Sequence, residues 1–258
     1  MLLKDKNAVI YGAGGHIGSK VAHAFARDGA KVFLVGRTMP ALEALAEEIS
    51  GVGGTAEAAQ VDALDPQAIE QHLDEIVKKA GSIDVSFNAI WIRGDLQGTP
   101  LIQMTPDNFT LPVLTGVKTH FLTATAAARH MVRKKSGVIL TLSSSAAGLS
   151  GRDRRYHLTG GFATACAAIE ALSRSLAGEL GQQGIRVVCL RPDALPETWA
   201  AEHSAGGSDI RTYMEDGTVL GRLPTLDEVA NAAVFMASDR ASALTGTIAN
   251  LTCGSIMD

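Results

Sequence analysis

Cysteine is scarce in this chain, which has three among its 258 residues. Cys166, Cys189 and Cys253 lie far apart, are odd in number and form no CxxC pair. Such a set supports no disulfide framework and favours a reducing cytoplasm. Metal binding is equally unsupported, because the seven histidines show neither HxxxH nor HExxH spacing. We therefore expect a cytoplasmic chain without a metal site.

Long apolar runs and blocks of like charge are also missing. No run approaches the length of a membrane span and the first residues carry no signal-peptide pattern, so we expect no membrane partner. The net charge is −4, and Asp153 interrupts the short basic cluster over 152–155, which leaves no stripe for nucleic acid. Hydrophobic residues make up 46% and charged residues 19%, a balance that argues against disorder.

Short β-rich runs alternate with longer helical stretches, and no repeat or linker divides the chain. This alternation is typical of a parallel sheet with helices on both faces. We predict seven strands, over 7–11, 31–35, 56–61, 85–88, 137–143, 186–191 and 247–251. A first helix should begin within 14–18, and others should cover 39–49, 66–80, 106–134, 161–182 and 225–238. The sequence therefore predicts one doubly wound α/β domain over 1–258.

Two local patterns complete this outline. Thr225 and Glu228 have the spacing of a capping box, in which each side chain bonds the other residue's backbone N–H. Residues 193–221 show neither the helical nor the strand period and contain glycine, proline and polar residues. Loops this long in a compact domain are usually functional, so we interpret this stretch as a substrate loop.

A glycine-rich turn directly follows the first predicted strand. Gly12, Gly15 and Gly18 are separated by two residues each and precede the first helix. Such a turn lets backbone amides and the positive end of a helix approach a pyrophosphate. The spacing alone is weak evidence, but its position between the first strand and the first helix is specific. We predict a dinucleotide site at these glycines and Ile17.

The end of the second strand indicates which dinucleotide is bound. An NAD site places a carboxylate here for the ribose 2′-hydroxyl, whereas an arginine accommodates a 2′-phosphate. Arg37 follows the strand with no Asp or Glu beside it. The sequence therefore favours NADP(H), with a solvated arginine after a strand as the alternative.

With these features the chain resembles the short-chain dehydrogenase/reductase family over essentially its whole length. Further matching segments are Asp62-Ala63, Asn88-Ala89, Leu142-Ser143-Ser144-Ser145, Arg191-Pro192-Asp193, Thr198 and Leu244-Thr245-Gly246. The resemblance implies that Asp62 and Ala63 contact the adenine, that Asn88 lies at the cofactor and that Thr198 holds the nicotinamide carboxamide. It also implies a homodimer or homotetramer, in which two long central helices pack between subunits.

The resemblance implies hydride transfer supported by a relay of serine, tyrosine, lysine and asparagine. The Ala-Ala-Ile-Glu-Ala-Leu run over 167–172 sets the register, so that Phe162 falls at the tyrosine position and Cys166 at the lysine position. Val113 stands where the asparagine is expected. Phenylalanine has no proton to donate, and a neutral thiol cannot replace an ammonium group. The standard relay is therefore expected to be absent.

Few side chains remain that could serve in the relay's place. Ser144 is the best match to the family serine, with Ser143 or Ser145 as alternatives because the alignment shifts by one residue. Tyr156 and His157 follow a cluster of arginines, and either could supply a proton near neutral pH. A solvated polar loop is the alternative interpretation of their segment.

Two further residues leave two interpretations open. Cys166 is either a thiolate near the cofactor or a small buried hydrophobic residue. Trp91 either covers the nicotinamide pocket or is a core aromatic.

Three hypotheses about function follow from these observations. The first is an NADP(H)-binding oxidoreductase whose proton donor is non-standard, with Tyr156 or His157 as first candidates. The second is a catalytically silent protein that binds the cofactor or another ligand. The third is a non-redox enzyme, a lyase or a cyclase, that uses the same pocket. The sequence indicates no particular substrate.

Overall fold

The computed structural model describes residues 1–149, 158–199 and 208–257. Within them, seven parallel strands form one sheet in the order β3-β2-β1-β4-β5-β6-β7. The strands are β1 (Asn7–Tyr11), β2 (Lys31–Gly36), β3 (Thr55–Gln60), β4 (Val85–Asn88), β5 (Gly137–Leu142), β6 (Ile185–Pro192) and β7 (Thr247–Leu251). The doubly wound α/β prediction is confirmed.

Seven α-helices accompany the sheet in the described part of the chain. They are α1 (His16–Arg27), α2 (Met39–Gly51), α3 (Pro66–Ala80), α4 (Pro106–Lys134), α5 (Gly160–Leu180), α6 (Ser208–Asp216) and α7 (Leu226–Ala237). Successive side chains of a strand point to opposite faces, so Ile10 packs beneath α1, α2 and α7. Its neighbour Tyr11 packs on the opposite face, beneath α3, α4 and α5.

Helix starts follow the capping residues in the sequence. The Asp65 carboxylate accepts the backbone N–H groups of Gln67 and Ala68, and Pro66 occupies the first helical position of α3. The Thr225 hydroxyl accepts the N–H of Glu228, whose carboxylate accepts the N–H of Thr225 in return. The predicted capping box at the start of α7 is confirmed.

The stretch over 193–221, interpreted from the sequence as a substrate loop, contains regular structure in its described part. Residues Pro196–Thr198 form a 3₁₀ turn, and helix α6 occupies Ser208–Asp216. An ion pair between Arg211 and Glu215, with a 2.8 Å distance from Nε to Oε1, joins successive turns of α6. The helix has nine residues, too few for a clear 3.6-residue period in the sequence.

The strand order determines where a ligand can enter. From β1 the chain adds β2 and β3 on one side and β4 to β7 on the other. The loops after β1 and β4 therefore separate at the carboxyl edge and leave a crevice, the usual ligand position in open parallel sheets. Among the described residues, no helix combines the length and apolarity that a bilayer crossing needs. Within those same ranges, no group of metal-ligating side chains comes together.

Candidate functional site

The glycine turn lies against the loop after β4, closer than a side chain would permit. Gly12 has φ +76°, and a Cβ there would lie 2.8 Å from the Ala89 carbonyl carbon. A Cβ on Gly18 would lie 2.2 Å from the Gly12 carbonyl oxygen. Among the residues that the structure describes, no side chain caps the N-terminus of α1, so its first-turn N–H groups have no side-chain acceptor there. This geometry suits an anionic ligand such as a pyrophosphate.

A first cavity of about 660 Å³ extends from the glycine turn over the ends of β2 and β3. The Arg37 side chain is exposed at its wall and forms no ion pair within the described ranges. The Asp62 carboxylate accepts the N–H of Leu64 at 3.0 Å, which orders the loop after β3. Five predicted cofactor residues line this cavity: Gly12, Gly15, Arg37, Asp62 and Ala63.

A second cavity of about 460 Å³ lies over the ends of β4, β5 and β6. Gly15 and Trp91 are among the residues that line both cavities, so the two adjoin along the crevice. Trp91 is 64% exposed, so the interpretation as a core aromatic was wrong. The predicted residues that line the second cavity are Gly15, Ile17, Trp91, Ser143, Ser144, Phe162 and Thr198.

The three serines after β5 have different environments. The Ser143 hydroxyl donates to Glu170 Oε1 at 2.9 Å, and the Ser145 hydroxyl donates to Asp193 Oδ1 at 2.7 Å. Ser144 lines the second cavity, and its Oγ accepts the N–H of Ala146 at 3.4 Å. Ser144 therefore differs from its neighbours in having no buried carboxylate as its partner in the described residues.

The residues predicted at three relay positions belong to a single apolar cluster. Cys166 is fully buried, and Phe162 and Val113 pack against the same group. Burial raises the pKa of the Cys166 thiol, so the thiol stays neutral over the physiological pH range. The thiolate interpretation of Cys166 finds no support in this geometry. The buried members of this relay-position cluster are Ile92, Ala165, Cys166, Ile169 and Cys189.

The side chains of two predicted cofactor residues form hydrogen bonds within the protein. The Asn88 amide donates to Thr123 Oγ1 at 3.0 Å, and its oxygen accepts the N–H of Ile90 at 3.0 Å. Asn88 lines neither cavity and instead shapes the turn after β4. Thr198 lines the second cavity, and its hydroxyl donates to the Leu195 carbonyl at 2.8 Å. Tyr156 and His157 lie outside the described residues.

His120 connects the long helix α4 to the site. Its Nδ1–H donates to the Gly116 carbonyl at 2.8 Å, and its Nε2 accepts the N–H of Leu142 at 3.3 Å. The second bond requires a neutral ring and anchors the end of β5 immediately before the serines. Desolvation in this fully buried position lowers the pKa of His120 to about 4. The sequence shows only a histidine within a helix, and nothing in it indicates this contact.

Acidification is expected to destabilise the fold through His120. Between pH 6.5 and 4 the unfolded chain binds a proton that the folded chain excludes, so stability falls as pH falls. The loss should approach about 1.4 kcal/mol per pH unit and reach about 3 kcal/mol in total. Urea unfolding across this range measures it. The variant His120→Gln should show a smaller loss, and a pH dependence equal to that of the wild type would contradict the assignment.

A second buried network supports helix α5. Glu170 and Arg191 are both buried, with 3.5 Å between Glu170 Oε2 and Arg191 Nη1. Through the Ser143 bond, this pair ties α5 to the ends of β5 and β6. It therefore sets the position of Phe162 at the cavity wall. The sequence gives no sign of this pair, because no pattern within one sequence distinguishes a buried glutamate from an exposed one on a helix.

Comparison with known proteins agrees with this architecture. The family model "Enoyl-(Acyl carrier protein) reductase" matches residues 12–255. The chain belongs to the short-chain dehydrogenase/reductase family. A 3-oxoacyl-[acyl-carrier-protein] reductase of Chlamydia muridarum is 29% identical over 98% of each chain.

Two solved structures extend the likeness to the backbone of this short-chain dehydrogenase/reductase. A short-chain type dehydrogenase/reductase from Mycobacterium marinum has a TM-score of 0.87 at 30% identity, covering 99% of this chain and 97% of its own. A structure from Beutenbergia cavernae, described as a putative NAD(P)-dependent gluconate 5-dehydrogenase with bound NADP at low occupancy, has a TM-score of 0.84 at 27% identity. The match covers 98% of this chain and 97% of that one. The predicted family is confirmed, and the chain is a member of an oxidoreductase family that uses NAD(P).

Proposed function

We propose that this chain binds NADP(H) across the crevice and lacks the standard proton relay of its family. The residues of the crevice fit the cofactor in charge and shape. The glycine turn leaves room for a pyrophosphate at the N-terminus of α1. Arg37 stands at the end of β2 with no acidic neighbour in the sequence and would pair with a 2′-phosphate.

Each half of the cofactor has residues to hold it. Asp62 and Ala63 would contact the adenine in the first cavity, and Ile17 and Thr198 would contact the nicotinamide in the second. The cofactor supplies hydride transfer when bound. The chain's own residues would position the adenine and nicotinamide rings. They would also decide whether a proton donor is present beside the substrate.

The apolar relay-position cluster carries the proposal. A tyrosine, a lysine and an asparagine need polar surroundings and a path to the cavity, whereas Phe162, Cys166 and Val113 pack together with aliphatic side chains. General acid assistance contributes a factor of about 10²–10⁴ in rate. Loss of the donor should therefore slow the reduction of ordinary ketones by about that factor.

Two functions agree with this arrangement. In the first, redox chemistry continues with Tyr156 or His157 as the proton source and Ser144 as the hydrogen-bond donor to the substrate. In the second, the protein binds the cofactor without turnover, and the packed apolar cluster favours this reading. Turnover on a broad carbonyl panel separates the two functions.

Self-association is part of the proposal. Leu114 is 63% exposed and Phe121 is 49% exposed on α4, the helix that the family resemblance places between subunits. Exposed apolar side chains on a long helix are a common feature of subunit interfaces. Light scattering measures the mass in solution, and a monomer at micromolar concentration would argue against a homodimer or homotetramer.

The purified protein is expected to reduce ordinary ketones, or oxidise ordinary alcohols, very slowly or not at all with NADP(H). A panel of carbonyl compounds, followed by NADPH absorbance, measures this rate. Calorimetric titration with NADPH runs alongside, so that lost binding is not mistaken for lost chemistry. The control is the double variant Tyr156→Phe, His157→Ala. Robust turnover that persists in this variant would show that the proposed proton source is wrong.

A further inference from the structure

The two cavities of the crevice meet at a short junction. Four of the described residues line both cavities, namely Gly15 on the glycine turn and Ala89, Ile90 and Trp91 in the loop after β4. A ligand that fits within one cavity need not reach this junction. A ligand that occupies both cavities must cross it and lie against these residues.

Trp91 has the largest free surface at the junction. Gly15 has no side chain and Ala89 has only a methyl group, whereas Ile90 is half-buried and packs into the core beneath α3, α4 and α5. Trp91 is 64% exposed. An indole has a large flat apolar surface, and leaving it in water gains none of the free energy of burial. The exposed ring therefore has surface available for a ligand.

The backbone on either side of Trp91 is anchored in the protein. Ile90 donates its N–H to Asn88 Oδ1 at 3.0 Å. Ile92 is 7% exposed and belongs to the relay-position cluster. Gly116 of α4 leaves room for it, since a Cβ there would lie 3.3 Å from Ile92 Cγ2. The indole is thus attached to a fixed backbone and lines the crevice, between two neighbours that pack into the protein.

The junction corresponds to the middle of the proposed cofactor. The glycine turn would receive the pyrophosphate, and Arg37 would receive the 2′-phosphate of the adenosine half in the first cavity. The nicotinamide half would then extend into the second cavity. The group that crosses beside Trp91 is therefore the pyrophosphate with its two adjoining riboses. This step rests on the proposed function, the binding of NADP(H).

We propose that Trp91 covers the pyrophosphate bridge of the bound dinucleotide and thereby selects ligands that span both cavities. The indole buries part of its apolar surface against the riboses, and the edge of its ring carries a partial positive charge that suits a neighbouring phosphate. Its cover also excludes water, which strengthens the bonds between the phosphates and the N–H groups at the start of α1. Burial of about 60 Å² of apolar surface corresponds to about tenfold in Kd.

Calorimetric titration of the full chain with three ligands of different length tests this inference. Adenosine 2′-monophosphate fits the first cavity alone, whereas NADPH spans the junction. The third ligand, 2′-phospho-ADP-ribose, is NADPH without its nicotinamide, so it keeps the pyrophosphate and both riboses. Trp91→Ala should weaken NADPH and 2′-phospho-ADP-ribose by the same factor of about ten and leave adenosine 2′-monophosphate unchanged.

Two further variants serve as controls. Trp91→Phe keeps an aromatic ring of smaller area, so it should lose only part of the affinity for NADPH. Leu101→Ala removes an apolar side chain that is also 64% exposed and lies in the same connection between β4 and α4, but that lines neither cavity. It should leave all three Kd values unchanged. Thermal unfolding establishes that each variant is folded.

Fluorescence provides a second measurement that needs no change at position 91. The chain has two tryptophans, so Trp199→Phe leaves Trp91 as the single emitter. Acrylamide should quench Trp91 strongly in the free protein and much less once 2′-phospho-ADP-ribose is bound, because the ligand shields the indole. This ligand lacks the nicotinamide, so it does not absorb the emission of tryptophan.

The outcomes separate this inference from the proposed function. If the wild type binds neither NADPH nor 2′-phospho-ADP-ribose, the proposed function fails and the inference fails with it. If both bind and Trp91→Ala keeps the wild-type Kd values, only the inference is overturned. A loss confined to NADPH would also overturn it, because Trp91 would then contact the nicotinamide. Should Trp91→Ala not fold, acrylamide quenching that is unchanged on binding contradicts the inference.

Discussion

The double variant Phe162→Tyr, Cys166→Lys is expected to gain measurable carbonyl reduction with NADPH. The two positions are four residues apart and lie on one face of α5, so the new phenol and ammonium groups would be neighbours. Ser144 already lines the same cavity as Phe162, and a bound cofactor would meet a positioned donor. The gain in kcat/KM over the wild type should be at least about 10²-fold.

Matched variants show which new group is responsible. Phe162→Tyr alone should gain less, because without an ammonium neighbour the phenol keeps a pKa of about 10. Phe162→Tyr with Cys166→Met tests a side chain of similar length without the charge. Adding Val113→Asn to the double variant should improve the rate further. Thermal unfolding accompanies each assay, since Cys166 is fully buried and a longer side chain there costs stability.

A triple variant that binds NADPH normally and yet stays inert toward small ketones would contradict the restoration. The cavity would then have a function other than the reduction of ketones. The binding-only function or the non-redox function would be favoured over the oxidoreductase function. Trp91 offers one further comparison, because it lines both cavities and could block a substrate. Adding Trp91→Ala to the triple variant tests whether Trp91 blocks the substrate. Activity that appears only with this change indicates a blocked cavity, whereas continued inactivity indicates a cavity with another function.

NADPH is expected to bind more tightly than NADH, and Arg37→Ala should remove most of the difference. A charged hydrogen-bonded pair contributes about 1.5–3 kcal/mol, or about 10- to 150-fold in Kd. The variant should weaken NADPH by that factor and leave NADH nearly unchanged, because NADH has no 2′-phosphate. Calorimetric titration of both proteins with both cofactors measures the four Kd values.

Arg93 provides the matched control for Arg37. It lines the same cavity, but its guanidinium is held by the Asp95 carboxylate at 2.8 Å. Arg93→Ala should therefore change NADPH and NADH binding by similar, small factors. Equal affinity of the wild type for the two cofactors would refute the role of Arg37. If Arg93→Ala, and not Arg37→Ala, loses the preference for NADPH over NADH, then Arg93 is the residue that binds the 2′-phosphate.

Much of the fold could be predicted from local pattern. The strand and helix bounds agree with the predictions to within two residues, because buried parallel strands appear as short apolar runs between capped helices. The glycine turn was also predictable, since its spacing between β1 and α1 leaves few other interpretations. Helix α6 was missed because its nine residues are too short and too polar for a clear period.

The candidate site was predictable in its list of residues but not in their surroundings. The sequence already places Phe162, Cys166 and Val113 at relay positions through a family resemblance. It does not show that all three share one apolar cluster, because Val113 is on α4 and the others are on α5. The sequence also does not show that Asn88 hydrogen-bonds within the protein, that Trp91 is exposed, or that His120 is buried and neutral.

The sequence by itself determined the sheet, six of the seven described helices, the glycine turn and the family of this protein. Those features depend on neighbours a few residues apart, through periodicity, capping and glycine spacing. Only the tertiary structure decided that Asp193 lies buried in the second cavity, held by Ser145 and Ser255. The surroundings of a cavity depend on residues far apart in the chain, and the distances between them exist only once the sheet has brought its strand ends together.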